Sequence, residues 1–348
     1  MNSVDSLQDT SASEAWRHFD GKSILVTGGT GSFGKHFIRR LLKSANPRRL
    51  VIFSRDEMKQ FDMQNELNPL DTNGVLRFFI GDVRDRSRLE MAFRGIDIVI
   101  HAAALKQVPT AEYNPFECIN TNVLGAEYIV HASLRCDVSQ VIALSTDKAA
   151  SPINLYGASK LASDKIFLAA NNLSGSGGAR FSVVRYGNVM ASRGSVIPFF
   201  QRLVAEGAKS LPITDPRMTR FWITLPVAAD FVAASVERMS GGEIFVPKIP
   251  SMKITSLADA IAPGMPHELV GIRPGEKLHE VMITEDDARN TIELSDHYVI
   301  QPSFGYWSRP AYLEAAKRVA ENFRYASDSN TQWLDADTLR KLIGHMAS

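Results

Sequence analysis

Cysteine is scarce in this chain: 348 residues carry two, Cys118 and Cys136. Two thiols cannot build a disulfide framework or a four-ligand zinc site. Both lie in a helical stretch with apolar neighbours, which points to ordinary packing. Long hydrophobic runs are missing too, and none approaches the ~18 residues that a membrane span needs. An excess of either charge is absent, since 39 Lys and Arg face 38 Asp and Glu for a net charge of +1. That balance argues against nucleic-acid binding and against an acidic disordered tail. The N-terminal stretch is polar without an apolar centre, so it does not read as a secretory signal. His101 has no spaced His, Cys, Asp or Glu partners, and no metal site is expected. What these exclusions leave is a globular, cytoplasmic protein of about two domains, with an enzyme the leading expectation.

What the chain does contain is a regular alternation of short apolar runs and helical patterns. SILVT (Ser23–Thr27), RLVIFS (Arg49–Ser54), VLRFFI (Val75–Ile80), IDIVIHAAA (Ile96–Ala104), QVIALST (Gln140–Thr146) and FSVVRYG (Phe181–Gly187) read as six buried strands. Helical spacing lies between most of them, with one long helix expected from about Pro115 to Cys136. Such alternation implies right-handed crossovers and a parallel sheet covered on both faces. The expected fold class is therefore α/β, a Rossmann-type doubly wound parallel sheet with a smaller C-terminal substrate-binding lobe. Residues 1–20 read as a loose extension and 21–187 as the dinucleotide-binding domain. Residues 188–348, where prolines accumulate, read as mainly the substrate lobe, with some segments returning to the first domain. The tail holds two amphipathic segments, Tyr312 to Phe323 and Trp333 to Met346.

TGGTGSFG (Thr27–Gly34) ends the first strand and opens the first helix, with its glycines spaced as Gly28, Gly31 and Gly34. A tight turn, a backbone that can touch a pyrophosphate and a helix N-terminus aimed at it are what a dinucleotide requires. Gly28, Thr30, Gly31, Ser32, Phe33 and Gly34 are thus the expected phosphate cradle. After the second strand an NAD-specific fold places an acid against the ribose, but here Arg55 comes first. A guanidinium matches a phosphate by a forked, charge-assisted contact. That favours NADP, with Arg55 and Lys59 on the 2′-phosphate; the competing reading has Asp56 on the ribose and Arg55 in solvent. Asp82 and Val83 are expected at the adenine, and Ala102, Ala103 and Ala104 along the nicotinamide ribose.

Tyr156 and Lys160 stand four apart in YGASKLASDKIF, on one face of a helix. An ammonium near a phenol favours the phenolate. Thr146, ten residues upstream at the end of the fifth strand, can hydrogen-bond the same substrate oxygen.

Taken together, the glycine loop, Thr146, Tyr156 and Lys160 resemble the extended short-chain dehydrogenase/reductases, which act mostly on nucleotide sugars. The stretches AAALKQVPTAEYNPFECINTNVLGAE, STDKAASPINLYGASKLASDK, RFSVVRYGNV, TDPRMTRFWITL and HELVGIRPGEKLHEVMIT carry the likeness further, over roughly Lys22 to Ile300. They are similar to the nucleotide-sugar 4,6-dehydratase branch that inverts C5. The resemblance implies UDP-N-acetylglucosamine as substrate, a homo-oligomer, and a place at the start of pseudaminic acid synthesis. It implies an internal redox cycle: oxidation at C4, loss of water across C5–C6, and reduction at C6. In that cycle Tyr156, supported by Lys160 and Thr146, is the base on the C4 hydroxyl.

By the same resemblance Asp147 protonates the departing C6 oxygen and Lys148 handles the C5 proton. A lysine acts as a base only with a lowered pKa, which a positive nicotinamide nearby would supply. Which of the two removes the C5 proton stays open. Arg220 and Arg273 match positions that grip the diphosphate, Asn188 a substrate amide contact, and Lys106 a cofactor contact that also faces substrate. Val189 to Arg193 approach cofactor or substrate, with Val189 assigned to the first and Arg193 to the second. The chain departs from the pattern at Met190-Ala191, where Val-Gly is expected. Two alternatives remain: a nucleotide-sugar 4-epimerase or capsule-pathway dehydratase/epimerase of the same superfamily, and a non-catalytic NADP sensor. A simple epimerase has no use for an acid and a base at C5–C6, and a sensor none for Tyr156 and Lys160.

Overall fold

Apolar runs bounded by glycine and polar turns form the central sheet in a computed structural model, which describes residues 14–175, 177–302 and 316–347. The first six strands are β1 (Ser23–Thr27), β2 (Arg49–Ser54), β3 (Leu76–Ile80), β4 (Ile98–His101), β5 (Gln140–Thr146) and β6 (Arg180–Tyr186). They pair in parallel in the order β3-β2-β1-β4-β5-β6. All but the edge strand β3 are buried along nearly their whole length. Such continuous apolar runs suit a parallel sheet with helices on both faces. The helices Ser32–Ser44 and Leu225–Arg238 pack together, as do Arg86–Phe93, Gly125–Arg135 and Leu155–Ser174. Strand order reverses between β1 and β4, so a crevice opens at the carboxyl ends of those two strands.

Beyond residue 187 come β7 (Asn188–Val189), β8 (Leu211–Ile213), β9 (Thr219–Ile223), β10 (Ile244–Pro247), β11 (Ser251–Lys253) and β12 (His267–Leu269). These are followed by β13 (Val281–Ile283), β14 (Thr291–Glu293), β15 (His297–Ile300), β16 (Lys317–Arg318) and β17 (Tyr325–Ala326). β10 adds to β6 in parallel, and β15, β14 and β16 follow antiparallel, so the sheet reaches ten strands. The other strands form β11-β9-β7, β12-β8 and β13-β17. A second apolar core built on Phe200, Trp222, Met252, Leu257 and Leu339 lies under them.

Several expectations change. The loose extension is corrected from residue 14: residues 14–17 form a helical turn, and Trp16 and Phe19 are fully buried. Their rings lie 5.0 and 5.9 Å from that of Phe37, and Trp16 Nε1 donates to Asp230 Oδ1 at 2.8 Å. Two aromatic rings bury enough apolar area to order so short a stretch; residues 1–13 lie outside the described residues. β4 stops at His101 because Thr27 Oγ1 takes the N–H groups of Ala102 and Ala103, at 3.2 and 3.3 Å. The long helix is broken into Pro115–Ile119, a π-helical turn Asn120–Leu124 and Gly125–Arg135. Of the segment Tyr312 to Phe323, residues 312–315 lie outside the described residues. Residues 316–323 hold β16 and a turn, not a helix, because Ile292 and Glu293 of β14 pair with them. The last helix is Ala336–Ala347. Among the described residues no helix is long and apolar enough to cross a membrane.

Candidate active site

At the end of β1 the chain turns at Gly28, whose φ is +65°. A Cβ there would stand 2.9 Å from Ala102 C and O and from Ala103 N. At Gly34 it would stand 2.6 Å from Gly29 Cα. Gly31 N–H donates to Gly28 O at 2.9 Å, which closes the turn. The helix Ser32–Ser44 starts at Gly31 with no side-chain cap and no acid in its first turn. Its first N–H groups therefore stay available to an anion. A cradle that any Cβ would fill and an uncapped helix N-terminus fit a dinucleotide. Thr30 and Ser32 are half-buried in this loop, and Phe33 stacks on Phe37 at 5.6 Å.

Arg55 is largely exposed, with Nη1 3.6 Å from Asp82 Oδ2. Asp56 caps the helix Glu57–Leu67 by accepting from Lys59 N–H and also pairs with the Lys59 ammonium. Those contacts engage the acid that competes with Arg55 for the ribose. Burial alone would raise the Asp82 carboxyl, but Arg84, which forks onto it at 3.0 and 2.7 Å, holds it below its ordinary range. Val83 is buried against Gly125. Ala102 and Ala103 are half-buried beside Gly28, while Ala104 and Lys106 are exposed on the loop that follows.

The second half of the site stands at the end of β5. Asn154 caps the helix Leu155–Ser174 and sets Tyr156 and Lys160 one turn apart, both buried. Asp147 has no exposed surface. Its Oδ1 accepts from Thr146 Oγ1 at 2.9 Å and from Lys148 Nζ at 3.1 Å, and Oδ2 has no partner. Burial raises its pKa, with the Lys148 ammonium opposing. Lys148 Nζ also lies 3.2 Å from Glu280 Oε1 and donates to Asn188 Oδ1 at 3.3 Å. Burial alone would lower that ammonium, yet Asp147 and Glu280 hold it above its ordinary value. The lowering that a base needs is thus not what this chain alone gives Lys148.

The Tyr156 phenol is pushed up to about 12 by burial, against the pull of Lys148 and a hydrogen bond with Thr146. The cation acting most strongly on it is Lys148, where Lys160 is the expected one. Lys160 is itself lowered by burial, with Asp164 opposing. Asp164 accepts from Ser145 Oγ at 2.7 Å and lies 3.5 Å from Arg185 Nη2. His101 is held at about 3 by burial and by the Lys160 charge, so it is neutral; its Nδ1 lies 2.8 Å from Thr27 Oγ1. Among the described residues no His, Cys, Asp and Glu group is placed to hold a metal ion.

The substrate-side residues divide. Asn188 reaches Lys148, as above. Val189, in β7, pairs with Ile223 of β9. Arg193 N–H donates to Ser32 Oγ at 3.3 Å, so this loop meets the phosphate cradle. Ala191 takes φ +53°, a backbone state that glycine adopts more readily, which gives the departure at Met190-Ala191 a physical meaning. Arg273 is exposed and near Glu276 at 3.7 Å; the turn it begins packs on Asn154, which donates to Gly275 O at 2.7 Å. Arg220 is the correction. It is buried and gives its N–H groups to the carbonyls of Thr219, Lys277 and Leu278, with Nε 3.8 Å from Glu280. A guanidinium so engaged braces Glu280 and is not open to a diphosphate.

Two contributors escape the sequence reading. Glu280 is a single acid ahead of the short apolar run VMI, and only its long-range partners set it apart. Asn122 sits in the π-helical turn. Its side chain accepts from Leu105 N–H and donates to Leu105 O, both at 2.9 Å, and also donates to Ser159 Oγ at 2.9 Å. It ties the loop after β4 to the helix of Tyr156. The break in helical period at NTN was the available signal.

A family model described as "Polysaccharide biosynthesis protein" matches residues 24–302. The chain belongs to this family. Among curated relatives it is 54% identical to the "UDP-N-acetylglucosamine 4,6-dehydratase (inverting)" of Campylobacter jejuni, over 94% of this chain and 98% of that one. It is 43% identical to a "UDP-glucose 4-epimerase" of Rickettsia akari, over 93% and 96%. Among solved structures, Pen from Bacillus thuringiensis superposes with a TM-score of 0.84 at 35% identity, covering 94% of this chain and 99% of that one. Family, superposition and sheet order agree on an extended short-chain dehydrogenase/reductase with a Rossmann-like parallel sheet.

Proposed function

We propose that this protein is an NADP-dependent UDP-N-acetylglucosamine 4,6-dehydratase that inverts C5. The observation that carries the proposal is the Asp147–Lys148 pair, 3.1 Å apart beside Tyr156, with the carboxyl buried and the ammonium half-buried. The name of the Campylobacter jejuni relative supports it. Burying an acid and a base against each other is costly unless the pair is used or well satisfied, and Asp147 Oδ2 is left without a partner.

A bound nicotinamide would supply a hydride acceptor for C4 and a hydride donor for C6, so no added reductant would be consumed. The glycine loop and the first-turn amides hold its phosphates, with Arg55 and Lys59 on the 2′-phosphate. Asp82 and Val83 hold the adenine, and Ala102 to Ala104 the ribose side. Lys160 would contact the cofactor as well as support Tyr156. Tyr156, hydrogen-bonded with Thr146, is the base on the C4 hydroxyl. This chain alone keeps the phenol protonated, so it would act as phenolate only after its own proton has passed to solvent, which a positive nicotinamide nearby would favour. The ketone formed at C4 then acidifies the C5 proton. A proton passing from Lys148 Nζ to Asp147 Oδ1 leaves a neutral amine and a carboxylic acid. Burial of Asp147 favours that arrangement. The amine takes the C5 proton, the acid protonates the departing C6 oxygen as water, and the pair returns to ammonium and carboxylate. Reprotonation of C5 on the opposite face, by a proton drawn from solvent, gives the inverted 4-keto-6-deoxy sugar. Lys106, Asn188, Arg193 and Arg273 are the residues assigned to the UDP-sugar in this reading. The resemblance extends the proposal to a homo-oligomer and to supply of pseudaminic acid synthesis.

Incubation with UDP-N-acetylglucosamine in deuterated water, without added reductant, tests this reading. Mass and NMR analysis should show loss of water, the L-arabino 4-keto sugar and deuterium at C5. A 4-epimer of unchanged mass would replace it with the epimerase reading that the Rickettsia akari relative represents. A Lys148→Ala variant that keeps full C5 exchange would remove Lys148 from the mechanism.

A further inference from the structure

Glu280 lies 133 positions after Asp147 in the chain, on the loop that leads into β13, yet its carboxylate meets the same Lys148 ammonium. Glu280 is buried, with Oε1 3.2 Å from Lys148 Nζ and 3.8 Å from Arg220 Nε, and Oε2 3.8 Å from Lys277 Nζ. Its backbone is clamped: Glu280 N–H donates to Ser327 Oγ at 2.9 Å, and Ser327 N–H to Glu280 O at 2.8 Å. The two cations behind it are fixed as well. Arg220 is tied to three backbone carbonyls, and Lys277 donates to Ala150 O at 2.7 Å.

We propose that Glu280 is a positioning residue for Lys148, a second carboxylate contact that holds the ammonium beside Asp147 and Asn188. This rests on the dehydratase reading for its functional meaning, although the anchoring itself does not. The geometry explains why a carboxylate stands there. Lys148 is one residue from Asp147 on a short turn, and that link alone does not set where a flexible four-carbon side chain ends. Asn188 gives one long hydrogen bond. Glu280 supplies the second charged contact, from a different part of the chain, and fixes the amine at the point where it can exchange a proton with Asp147. Arg220 and Lys277 in turn keep Glu280 ionised. Without Glu280, three cations, Lys148, Arg220 and Lys277, would face one carboxylate, Asp147, with Tyr156 the remaining titratable neighbour.

A charge at this distance shifts a neighbouring pKa by about 1 to 3 units. In Glu280→Gln the Lys148 ammonium should therefore titrate about 1 to 3 units lower. Competitive acylation with acetic anhydride, read by mass spectrometry across pH on the enzyme as purified and without sugar, follows Lys148 directly. The same variant should lose turnover with UDP-N-acetylglucosamine by about 10-fold or more in kcat, with a smaller change in KM. Glu280→Asp keeps the charge and should bring the labelling midpoint back toward wild type, and it stands in if the glutamine variant does not fold. An unshifted labelling midpoint in the glutamine variant overturns the anchoring. A shifted midpoint with unchanged kcat overturns the positioning role. If wild-type enzyme does not dehydrate the sugar while the midpoint still shifts, the dehydratase reading fails and the anchoring stands.

Discussion

Gly28→Ala probes the cradle with its own internal control. The residue sits at φ +65°, where a side chain costs about 1 to 2 kcal/mol. Its Cβ would also meet three backbone atoms of Ala102 and Ala103 at 2.9 Å. Those atoms belong to the chain leaving β4, whose strand is hydrogen-bonded to β1, so relief requires the two strands to part. Overpacking of that kind adds about 1 to 3 kcal/mol. Gly74 has a matching φ of +60° and nothing within 4 Å of its Cβ. Gly74→Ala should therefore cost the backbone strain alone, about 1 kcal/mol after the loss of unfolded-state freedom is counted. Urea denaturation of both variants isolates the contact contribution as their difference, expected at about 1 to 3 kcal/mol. Calorimetric titration with NADP should show wild-type affinity for Gly74→Ala and at least a ~10-fold loss for Gly28→Ala, about 1.4 kcal/mol. A Gly28→Ala protein as stable as Gly74→Ala, or binding NADP as wild type does, would show that the loop is not held in this shape.

Asp147→Asn keeps the shape but cannot release a proton, and turnover should fall about 10²- to 10⁴-fold by product NMR; near-normal water loss would move the acid elsewhere. Arg55→Ala should weaken NADP more than NAD in paired titrations, and an unchanged ratio would remove Arg55 from the 2′-phosphate. Tyr156 keeps its proton to about pH 12 in the fold, against about 10 when unfolded. The folded state therefore holds the extra proton in that window, so stability falls as pH rises through it. Tyr156→Phe should lessen that fall and remove one phenolate from the alkaline absorbance titration, and an unaltered curve would refute the assignment. Trp16→Ala should cost about 3 to 5 kcal/mol by urea denaturation; a loss under 1 kcal/mol would return the segment to a loose extension.

The legible parts of this molecule were those written in local pattern. Six strands, the glycine loop and the spacing of Tyr156 and Lys160 each depend on a few consecutive residues, and their alternation with helices implies a parallel sheet. Contacts between distant segments were not legible. Trp16 gains its order from Phe37 and Asp230, neither of which a polar N-terminal stretch announces. Arg220 looked like a phosphate ligand because arginine in a substrate lobe often is one, but three carbonyls and Glu280 already use its donors. Lys148 looked like a lysine awaiting a lowered pKa, while a second carboxylate far along the chain raises it instead.

Asn122 bolts the alanine loop beside the dinucleotide crevice to Ser159 on the helix that bears Tyr156 and Lys160. One side chain thus joins the loop that follows β4 to the helix that carries the Tyr-Lys pair. Under the dehydratase reading, a hexose that presents C4 and then C6 to one nicotinamide would have to turn between the two.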